Sequence, residues 1–354
     1  MDVFEHRGRG VVFDRAGSGS PVVFLHNAGA QRRIWDDQVA ALRREHEVFA
    51  LDLPGYGRSE QPAAGYRLAD YVHMLDAFLT AHRLTDVVLV GNCLGSATSL
   101  RYAMDHPAGV RALVLINPLT WDTVSSGQSA GLAWADARLP LAPVARRISL
   151  PGWVVSLIVA NQLGPRGRGR KLQHEPRVRA HWSDRGRLTA LHGLVQDFPA
   201  YSALDAFDPP AGFPPICTIW GRRNRILSAE AGKRLNRTLR PHTAVELPDC
   251  GHLPMVEDPD RVTEIISGFL AATGTRSEAS RGRAQLGEAG GAHAASCAFE
   301  GDAEVEHPVD AGMTGLAEEI DASGVAARSF TDQPFRAVAA PHAVETERAH
   351  RRGG

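Results

Sequence analysis

The sequence predicts an α/β protein built on a doubly wound, mostly parallel sheet, with a helical cap inserted between two sheet strands and a disordered C-terminal tail. Three observations support this fold class. Short apolar runs alternate with segments of helical periodicity, the alternation stops between residues 119 and 207, and the composition changes near Gly274. At roughly 150 residues per domain, a chain of 354 residues has room for about two domains.

Six apolar runs, each followed by turn-forming residues, predict strands that are buried on both faces. They are residues 21–26, 47–52, 87–91, 112–116, 216–220 and 243–247. Apolar residues at helical spacing predict helices over residues 35–43, 68–82, 94–105, 229–239 and 259–272. This strand–helix–strand order favours an open parallel sheet that is covered by helices on both faces.

The interruption between the fourth and fifth predicted strands divides the chain into a core, residues 1–118 and 208–273, and a cap, residues 119–207. The cap segment has no strand pattern, and its prolines break it into short helices. Because ligands bind at the carboxyl ends of the strands in open parallel sheets, the cap is expected to cover the site. Residues 274–354 lack Trp, Tyr and Lys and contain few large apolar side chains, which predicts a largely disordered tail.

Charge and composition exclude several classes of function. The 39 basic and 40 acidic residues give a net charge of −1, so bulk charge directs the chain neither to nucleic acid nor to an anionic membrane. No apolar stretch is long enough to span a bilayer, and the first residues lack the apolar core of a signal peptide. The four cysteines show no paired spacing, which favours free thiols and a cytoplasmic location, and we predict no metal or other cofactor.

The junction between a predicted strand and a predicted helix, at residues 90–97, has the sequence Val-Gly-Asn-Cys-Leu-Gly-Ser-Ala. Cys93 therefore lies between Gly91 and Gly95. Small residues on both sides allow the sharp strand-to-helix turn that presents a nucleophile, and the helix dipole at this position favours a thiolate. The motif alone is equally consistent with a buried structural cysteine, because short motifs also match by chance.

Three further segments have the composition of site loops. They are residues 26–29 (His-Asn-Ala-Gly), residues 52–59 (Asp-Leu-Pro-Gly-Tyr-Gly-Arg-Ser) and residues 247–254 (Leu-Pro-Asp-Cys-Gly-His-Leu-Pro). Together with the turn at Cys93, these segments resemble the α/β-hydrolase superfamily, in the branch that carries a helical cap, over roughly residues 10–272. The turn at Cys93 precedes the histidine segment along the chain, in keeping with the order of nucleophile, acid and histidine in that superfamily.

The resemblance implies a role for each matching residue. Cys93 takes the position of the nucleophile, which is serine in most members, and His252 takes the position of the general base. The backbone amides of Leu94 and Ala28 match the oxyanion hole. Asn27 stands where glycine is usual after the histidine, and we expect it to contact substrate.

The largest departure from the superfamily is at the acid. Residues 219–228 match the acid loop, with Asn224 at the carboxylate position. An asparagine can accept a hydrogen bond from the imidazole, but it cannot stabilise an imidazolium by charge. A cysteine tolerates this loss because a thiolate–imidazolium pair can pre-exist, as in the Cys-His-Asn arrangement of papain-like enzymes. Asp122 is the second candidate acid, on the loop after the preceding strand, and is also a candidate helix cap.

Two features of the cap bear on the substrate. The run Pro-Arg-Gly-Arg-Gly-Arg-Lys at residues 165–171 either grips the phosphate of a coenzyme A or carrier-protein thioester or forms an exposed loop. Four tryptophans supply apolar surface, and they are Trp121, Trp134, Trp153 and Trp182. We expect Trp121 to contact substrate and most of the others to form the core of the cap.

These residues support three hypotheses. In the first, Cys93 forms an acyl-enzyme with a small-molecule ester, thioester or lactone, and the reaction ends in hydrolysis or acyl transfer. In the second, the fold binds a small molecule without covalent chemistry, which Asn27 and Asn224 favour. The third, a dehalogenase or epoxide hydrolase, requires a carboxylate nucleophile, and Cys93 argues against it because an alkyl thioether would not be hydrolysed.

Overall fold

An eight-stranded sheet runs through the centre of the protein, as seen in a computed structural model that describes residues 1–128, 130–131, 150–183 and 188–273. The strands are β1 (Asp2–His6), β2 (Arg9–Ala16), β3 (Ser20–Leu25), β4 (His46–Leu51), β5 (Val87–Asn92), β6 (Val110–Ile116), β7 (Ile216–Gly221) and β8 (Thr243–Leu247). Their order is β1-β2-β4-β3-β5-β6-β7-β8. β2 is antiparallel to both of its neighbours, and all other neighbouring strands are parallel.

Helices flank this sheet and fill the connections between its strands. The α-helices are α1 (Asp36–Leu42), α2 (Leu68–Ala81), α3 (Leu94–Asp105), α4 (Trp121–Ser125), α5 (Gly152–Gln162), α6 (Pro165–Gly169), α7 (Pro176–Arg179), α8 (Leu188–Gln196), α9 (Ser202–Asp205), α10 (Ala229–Leu239), α11 (Pro254–Glu257) and α12 (residues 259–273). Short 3-10 helices lie at Arg32–Trp35, Pro107–Gly109, Leu172–His174, Ala180–Ser183 and Phe198–Tyr201.

The central strands are apolar at every position because both of their faces are covered. In β3, Val23 and Leu25 pack into the core beneath α2 and α3, while Val22 and Phe24 pack into the core on the opposite face, beneath α1 and α12. Strands buried in this way lack the alternation of polar and apolar residues that half-exposed strands show. The predicted parallel strands, their flanking helices and the doubly wound fold class are confirmed.

The N-terminal hairpin of β1 and β2 is not among the predicted strands. Arg7 and Gly8 form a two-residue turn between the paired residues His6 and Arg9, with positive φ angles of 53° and 71°. Such angles are those of the tight turn that suits a twisted hairpin. The side chains of β1 are exposed or half-buried at the edge of the sheet, so no buried apolar run marks this strand in the sequence.

The described residues between β6 and β7 form helices and loops without a strand, as the sequence predicts for a cap. The boundaries of the cap at residues 119 and 207 stay predictions. The predicted tail, residues 274–354, and Trp134 lie outside the described residues. Within the part of the chain that the structure describes, no helix has both the length and the apolar character to cross a membrane.

A buried ion pair joins the end of β4 to the segment that precedes α1. Asp52 is fully buried, and its carboxylate accepts hydrogen bonds from the backbone N–H and the Nη1 of Arg32, at 2.7 and 2.6 Å. The backbone N–H of Arg58 also donates to this carboxylate, at 2.8 Å. The Nε of Arg32 donates to Asp14 at 2.6 Å. Asp52 therefore fixes two loops beside the carboxyl edge of the sheet.

Removing this carboxylate should destabilise the fold. In Asp52→Ala the buried guanidinium of Arg32 keeps only one of its two carboxylate partners, Asp14, and the side chain of Asp14 is 39% exposed. We expect the free energy of unfolding to fall by about 3 kcal/mol, and the Asp52→Ala/Arg32→Met variant to recover part of it. Chemical denaturation measures both. Asp105→Ala, which removes an exposed ion pair with Arg101, is the control and should cost less than about 1 kcal/mol. Equal losses in the two single variants would contradict the expectation.

Candidate active site

Cys93 lies between β5 and α3, at the carboxyl edge of the sheet. Its backbone has a φ of 52° and a ψ of −107°. For a residue other than glycine, a conformation of this kind costs on the order of 1–3 kcal/mol and persists only where the surroundings impose it. The N–H of Cys93 donates to the carbonyl of Ile116, and its carbonyl accepts from the N–H of Ala97, both at 3.0 Å. These bonds hold Cys93 at the N-terminus of α3.

Gly91 and Gly95 make room for this turn, as the sequence predicts. A Cβ atom on Gly91 would lie 2.3 Å from the carbonyl carbon of Gly95. A Cβ atom on Gly95 would lie 2.1 Å from the carbonyl oxygen of Leu25 in β3. Both obstacles are backbone atoms, which cannot move aside as a flexible side chain can. The close approach of these backbones therefore requires glycine at both positions.

Cys93 and His252 both line a cavity of about 210 Å³ between the sheet edge and the cap. Asn161 and Gln162 are the other polar residues of its lining, and none of the described residues that line it is Lys, Arg, Asp or Glu. The apolar lining residues are Ala28, Leu119, Val124, Ile158, Trp182, Leu191, Leu194, Phe198, Ile226 and Leu227. Within the described part of the chain, no three His, Cys, Asp or Glu side chains are grouped so that they could hold a metal ion.

Two backbone amides point at the Cys93 thiol. The N–H groups of Leu94 and Ala28 act on its sulfur and lower its pKa, and these are the two amides that the resemblance places in an oxyanion hole. Burial nevertheless raises the pKa of Cys93 to about 12, and the two donors offset only part of that rise. The thiol is therefore neutral at pH 7.

His252 is neutral as well. Its side chain is buried, and this burial lowers its pKa to about 3. Its Nδ1 is buried without a hydrogen-bond partner. Of the two resting states that the sequence leaves open, burial therefore disfavours the thiolate–imidazolium pair. In the closed cavity, Cys93 and His252 rest in their neutral forms, because apolar surroundings disfavour the charged form of each group.

Three hydrogen bonds hold the backbone of His252. Its N–H donates to the carbonyl of Gln162, the last residue of α5, at 2.7 Å. Its carbonyl accepts from the Nδ2 atoms of Asn92 and Asn117, both at 3.2 Å. Neither asparagine is among the predicted site residues. The signal that points to them is a polar residue at the carboxyl end of a buried strand, which is where the sites of parallel sheets lie.

The carboxylate of Glu257 joins the histidine loop to the cap. Its Oε1 accepts from the N–H groups of Gly251 and Leu253, at 2.8 and 3.3 Å. Its Oε2 accepts from the N–H groups of Gly164 and Gly167 in the cap, at 2.7 and 3.2 Å. Burial raises the pKa of Glu257, and the four donors oppose that rise. Sequence reasoning missed this residue because its partners come from two segments that are distant along the chain.

Asn224 stabilises its own loop and does not contact His252 by a hydrogen bond. Its Oδ1 accepts from the N–H groups of Ile226 and Leu227, at 3.0 and 3.2 Å, in the manner of an asparagine that closes a turn. Its Nδ2 is buried without a partner. Because the oxygen is engaged and the nitrogen can only donate, Asn224 cannot accept an Nδ1–H from His252 in this arrangement. The predicted orienting role is corrected on this ground.

Asp122 and Trp121 lie in α4, outside the lining of the cavity. The Asp122 carboxylate forms a two-pronged ion pair with Arg234, at 2.8 and 2.9 Å, and these hydrogen bonds lower its pKa. The structure therefore does not bring Asp122 to His252, and Thr120, not Asp122, caps α4. The predicted substrate contact of Trp121 is also corrected, because its side chain faces solvent and is 39% exposed.

Asn27 is fully buried and lies outside the lining of the cavity. Its Oδ1 accepts from the Nδ2 of Asn92 at 3.2 Å, and its Nδ2 donates to the carbonyl of Ala28 at 2.8 Å. Both polar atoms are therefore engaged with the protein. The expectation that Asn27 contacts substrate is corrected, and its side chain instead orients the peptide that follows it.

Two arginines of the predicted phosphate-gripping run attach the cap to the core. Arg166 forms an ion pair with Asp258 at 3.1 Å. The Nη1 of Arg170 donates to the carbonyls of Val256 and Glu257, at 3.1 and 3.0 Å. At these two positions the run is neither a free loop nor open to a phosphate.

Loss of the Glu257 charge should loosen both the cap and the histidine loop. In Glu257→Gln an amide nitrogen faces backbone N–H donors, so acceptors are lost in a buried place. We expect the free energy of unfolding to fall by about 3 kcal/mol. Chemical denaturation measures this change. Glu264→Gln removes an exposed pair with Arg261 and serves as the control, with little loss expected. An unchanged midpoint for Glu257→Gln would show that the four bonds contribute nothing.

The chain matches the alpha/beta hydrolase fold family over residues 20–259. It is 27% identical over 262 residues to the 2-hydroxy-6-oxo-2,4-heptadienoate hydrolase of Pseudomonas putida, a match that covers 72% of this chain and 91% of the relative. It is 26% identical over 274 residues to haloalkane dehalogenase 2 of Mycobacterium bovis, which covers 73% of this chain and 91% of that one.

Solved structures share the same architecture. A thermophilic esterase from Thermogutta terrifontis aligns with a TM-score of 0.65 at 21% identity, over 77% of this chain and 97% of the esterase. At this identity the likeness shows the fold alone. The family match, the hydrolase names of the relatives and the strained strand-to-helix turn agree. The chain belongs to the alpha/beta hydrolase fold family, and its family and relatives support a hydrolase.

Proposed function

We propose that the protein is a hydrolase or acyltransferase in which Cys93 attacks an ester, thioester or lactone and forms an acyl-enzyme. The observation that carries this proposal is the pair of N–H groups, from Leu94 and Ala28, that point at the Cys93 sulfur. When that sulfur bonds to a carbonyl carbon, the carbonyl oxygen comes to lie beside the same two groups. Two donors that converge on one buried thiol are expected of an oxyanion hole, and packing alone does not require them.

The reaction starts from a neutral pair. His252 takes the thiol proton as the Cys93 sulfur attacks, and the electron pair of the C=O bond moves to the oxygen beside Leu94 and Ala28. The tetrahedral intermediate then collapses, and His252 gives the proton to the leaving oxygen or sulfur. Water, or an acceptor hydroxyl, amine or thiol, next attacks the acyl-cysteine and loses its proton to His252. The bond between the acyl carbon and the Cys93 sulfur then breaks, and His252 returns the proton to the sulfur. Which of these nucleophiles enters the cavity decides between hydrolysis and transfer.

A cysteine nucleophile suits a histidine that lacks a carboxylate partner. Among the described residues no carboxylate contacts the Nδ1 of His252, and Asp122 is held by Arg234. A serine hydroxyl would depend on such a charge to stabilise the imidazolium that forms as its proton transfers. A thiol is far closer to imidazole in acidity, so the same transfer needs less support.

The lining of the cavity favours an uncharged acyl group. None of the described residues that line it is cationic, so none of them neutralises a carboxylate such as that of the heptadienoate named for the Pseudomonas putida relative. Dehalogenation, the activity named for the Mycobacterium bovis relative, would leave Cys93 as a thioether that water does not cleave. Neutral esters and thioesters remain the class that fits both the lining and the nucleophile.

The second candidate function is non-covalent binding of a small molecule. The neutral resting forms of Cys93 and His252 favour it, because neither group is activated before a ligand enters. The two functions differ in one observable quantity, which is the amount of acyl group that becomes bonded to the protein.

Acylation by an activated ester tests this difference. The acyl-enzyme mechanism predicts that a p-nitrophenyl ester transfers one acyl group per chain to Cys93 during a single turnover, as read by rapid quenching and peptide mass spectrometry. Cys93→Ala should abolish both the adduct and turnover. Cys217→Ala, which alters a buried cysteine of β7, should keep both. Ligand binding without any adduct or turnover would establish the binding protein instead.

The pKa of Cys93 predicts the pH dependence of its alkylation. Because the thiol must lose its proton to react, the iodoacetamide rate in the substrate-free protein should rise about tenfold per pH unit up to about pH 10, without a plateau. Mass spectrometry of the peptide that contains Cys93 measures the rate. Glutathione, whose thiol is not buried, is the control and should level off within that range. A plateau with a midpoint below about pH 7 would reveal a resting thiolate–imidazolium pair.

A further inference from the structure

A second pocket, of about 320 Å³, lies beside the catalytic cavity and is lined mainly by arginine. Its lining residues are Pro165, Arg168, Arg222, Arg223, Asn224 and Arg225, and we call it the arginine pocket. Arg168 belongs to α6 of the cap, while the other three arginines belong to the loop after β7. Four cationic side chains meet there, and no described residue of the lining is a carboxylate, which makes the pocket strongly positive.

The charge of the loop arginines is not neutralised. None of the three loop arginines forms an ion pair with any residue that the structure describes; they are Arg222, Arg223 and Arg225. Other arginines of the chain face carboxylates, as Arg166 faces Asp258. A guanidinium keeps its charge at every physiological pH, so the arginine pocket presents positive charge to an anionic ligand under all such conditions.

The loop that carries these arginines is held by its backbone. The N–H of Arg222 donates to the carbonyl of Leu247 at 3.0 Å, and the N–H of Arg223 donates to that of Cys250 at 2.9 Å. Asn224 closes the turn with its Oδ1 and leaves its Nδ2 buried without a partner at the same pocket. A fixed loop that offers several guanidinium groups is organised in advance for a group with many acceptor oxygens.

The arginine pocket and the catalytic cavity share a wall. Asn224 lines the pocket and Ile226 lines the cavity, and two residues of chain span at most about 7 Å. On the side of the cap, Gln162 lines the cavity and Pro165 lines the pocket. A ligand that extends from one to the other around this wall would place an apolar end in the cavity and an anionic group in the arginine pocket.

We propose that the arginine pocket binds the phosphate of a phosphopantetheine-type thioester whose acyl group is delivered to Cys93. This inference rests on the proposed acyl-enzyme function. Guanidinium groups match phosphate oxygens with paired N–H donors, and the uncharged cavity accepts the acyl chain. Coenzyme A and the arm of a carrier protein share this phosphate-bearing chemistry. Of the basic run in the cap, only Arg168 contributes to the pocket, since Arg166 and Arg170 are engaged by the core.

Three thioesters of the same acyl group test the proposal: those of N-acetylcysteamine, of pantetheine 4′-phosphate and of coenzyme A. In Arg222→Ala/Arg223→Ala we expect kcat/KM to fall about tenfold for the phosphate-bearing thioesters, mainly through KM, and less than about twofold for the N-acetylcysteamine thioester. Arg43→Ala/Arg44→Ala is the matched control. It removes two exposed arginines at the amino end of β4, the opposite edge of the sheet, and should leave all three rates unchanged.

The outcomes separate this inference from the proposed function. Equal losses on all three thioesters would overturn the arginine pocket, as would unchanged rates. A loss confined to coenzyme A assigns the pocket to its adenosine phosphates, and a loss on both assigns it to the phosphate of the pantetheine arm. Calorimetry with desulfo-coenzyme A measures binding without chemistry. If that Kd rises about tenfold in Arg222→Ala/Arg223→Ala while no thioester is turned over, the pocket stands and the acyl-enzyme function fails. No binding to the native protein would overturn the pocket.

Discussion

The left-handed backbone of Cys93 is the constraint on which the rest of the site depends. It exists only because β3, β5 and α3 approach more closely than any side chain at Gly91 or Gly95 would permit. That approach brings the sulfur beside the amides of Leu94 and Ala28, which belong to segments that leave the sheet at the same edge. The fold tolerates the strained backbone of Cys93 because β5 is hydrogen-bonded to a parallel strand on each side, which fixes the residues that precede the turn.

Charge is distributed around this turn in a consistent way. The described lining of the cavity has no Lys, Arg, Asp or Glu, and burial disfavours the charged forms of Cys93 and His252. Ionic groups lie behind its walls or outside them. The buried Glu257 accepts hydrogen bonds from backbone N–H groups, and Asp122 forms an ion pair with Arg234. The arginine pocket lies on the other side of the loop after β7. In the proposed acyl-enzyme mechanism, proton transfer from Cys93 to His252 would therefore accompany the formation of the carbon–sulfur bond.

The central strands and the turn at Cys93 could be predicted because their signals are local. A strand buried on both faces is a continuous apolar run, and a tight turn demands glycine at fixed offsets.

The polar contacts of the site could not be predicted in the same way. Asn224 lies in the expected loop, yet sequence spacing does not reveal that its oxygen faces the backbone. Glu257 was missed because its four donors come together only in the folded chain. β1, at the exposed edge of the sheet, has no buried apolar run that would mark it as a strand.

Oxidation of a cysteine to sulfenic acid proceeds through the thiolate and requires that an oxidant reach the sulfur. Cys93 offers neither condition in the substrate-free protein, since its thiol is protonated and only 5% of the residue is exposed. Peroxide should therefore react with Cys93 far more slowly than with the exposed, low-pKa thiols of redox sensors. The apolar walls that disfavour deprotonation of Cys93 thus also protect its sulfur from oxidation.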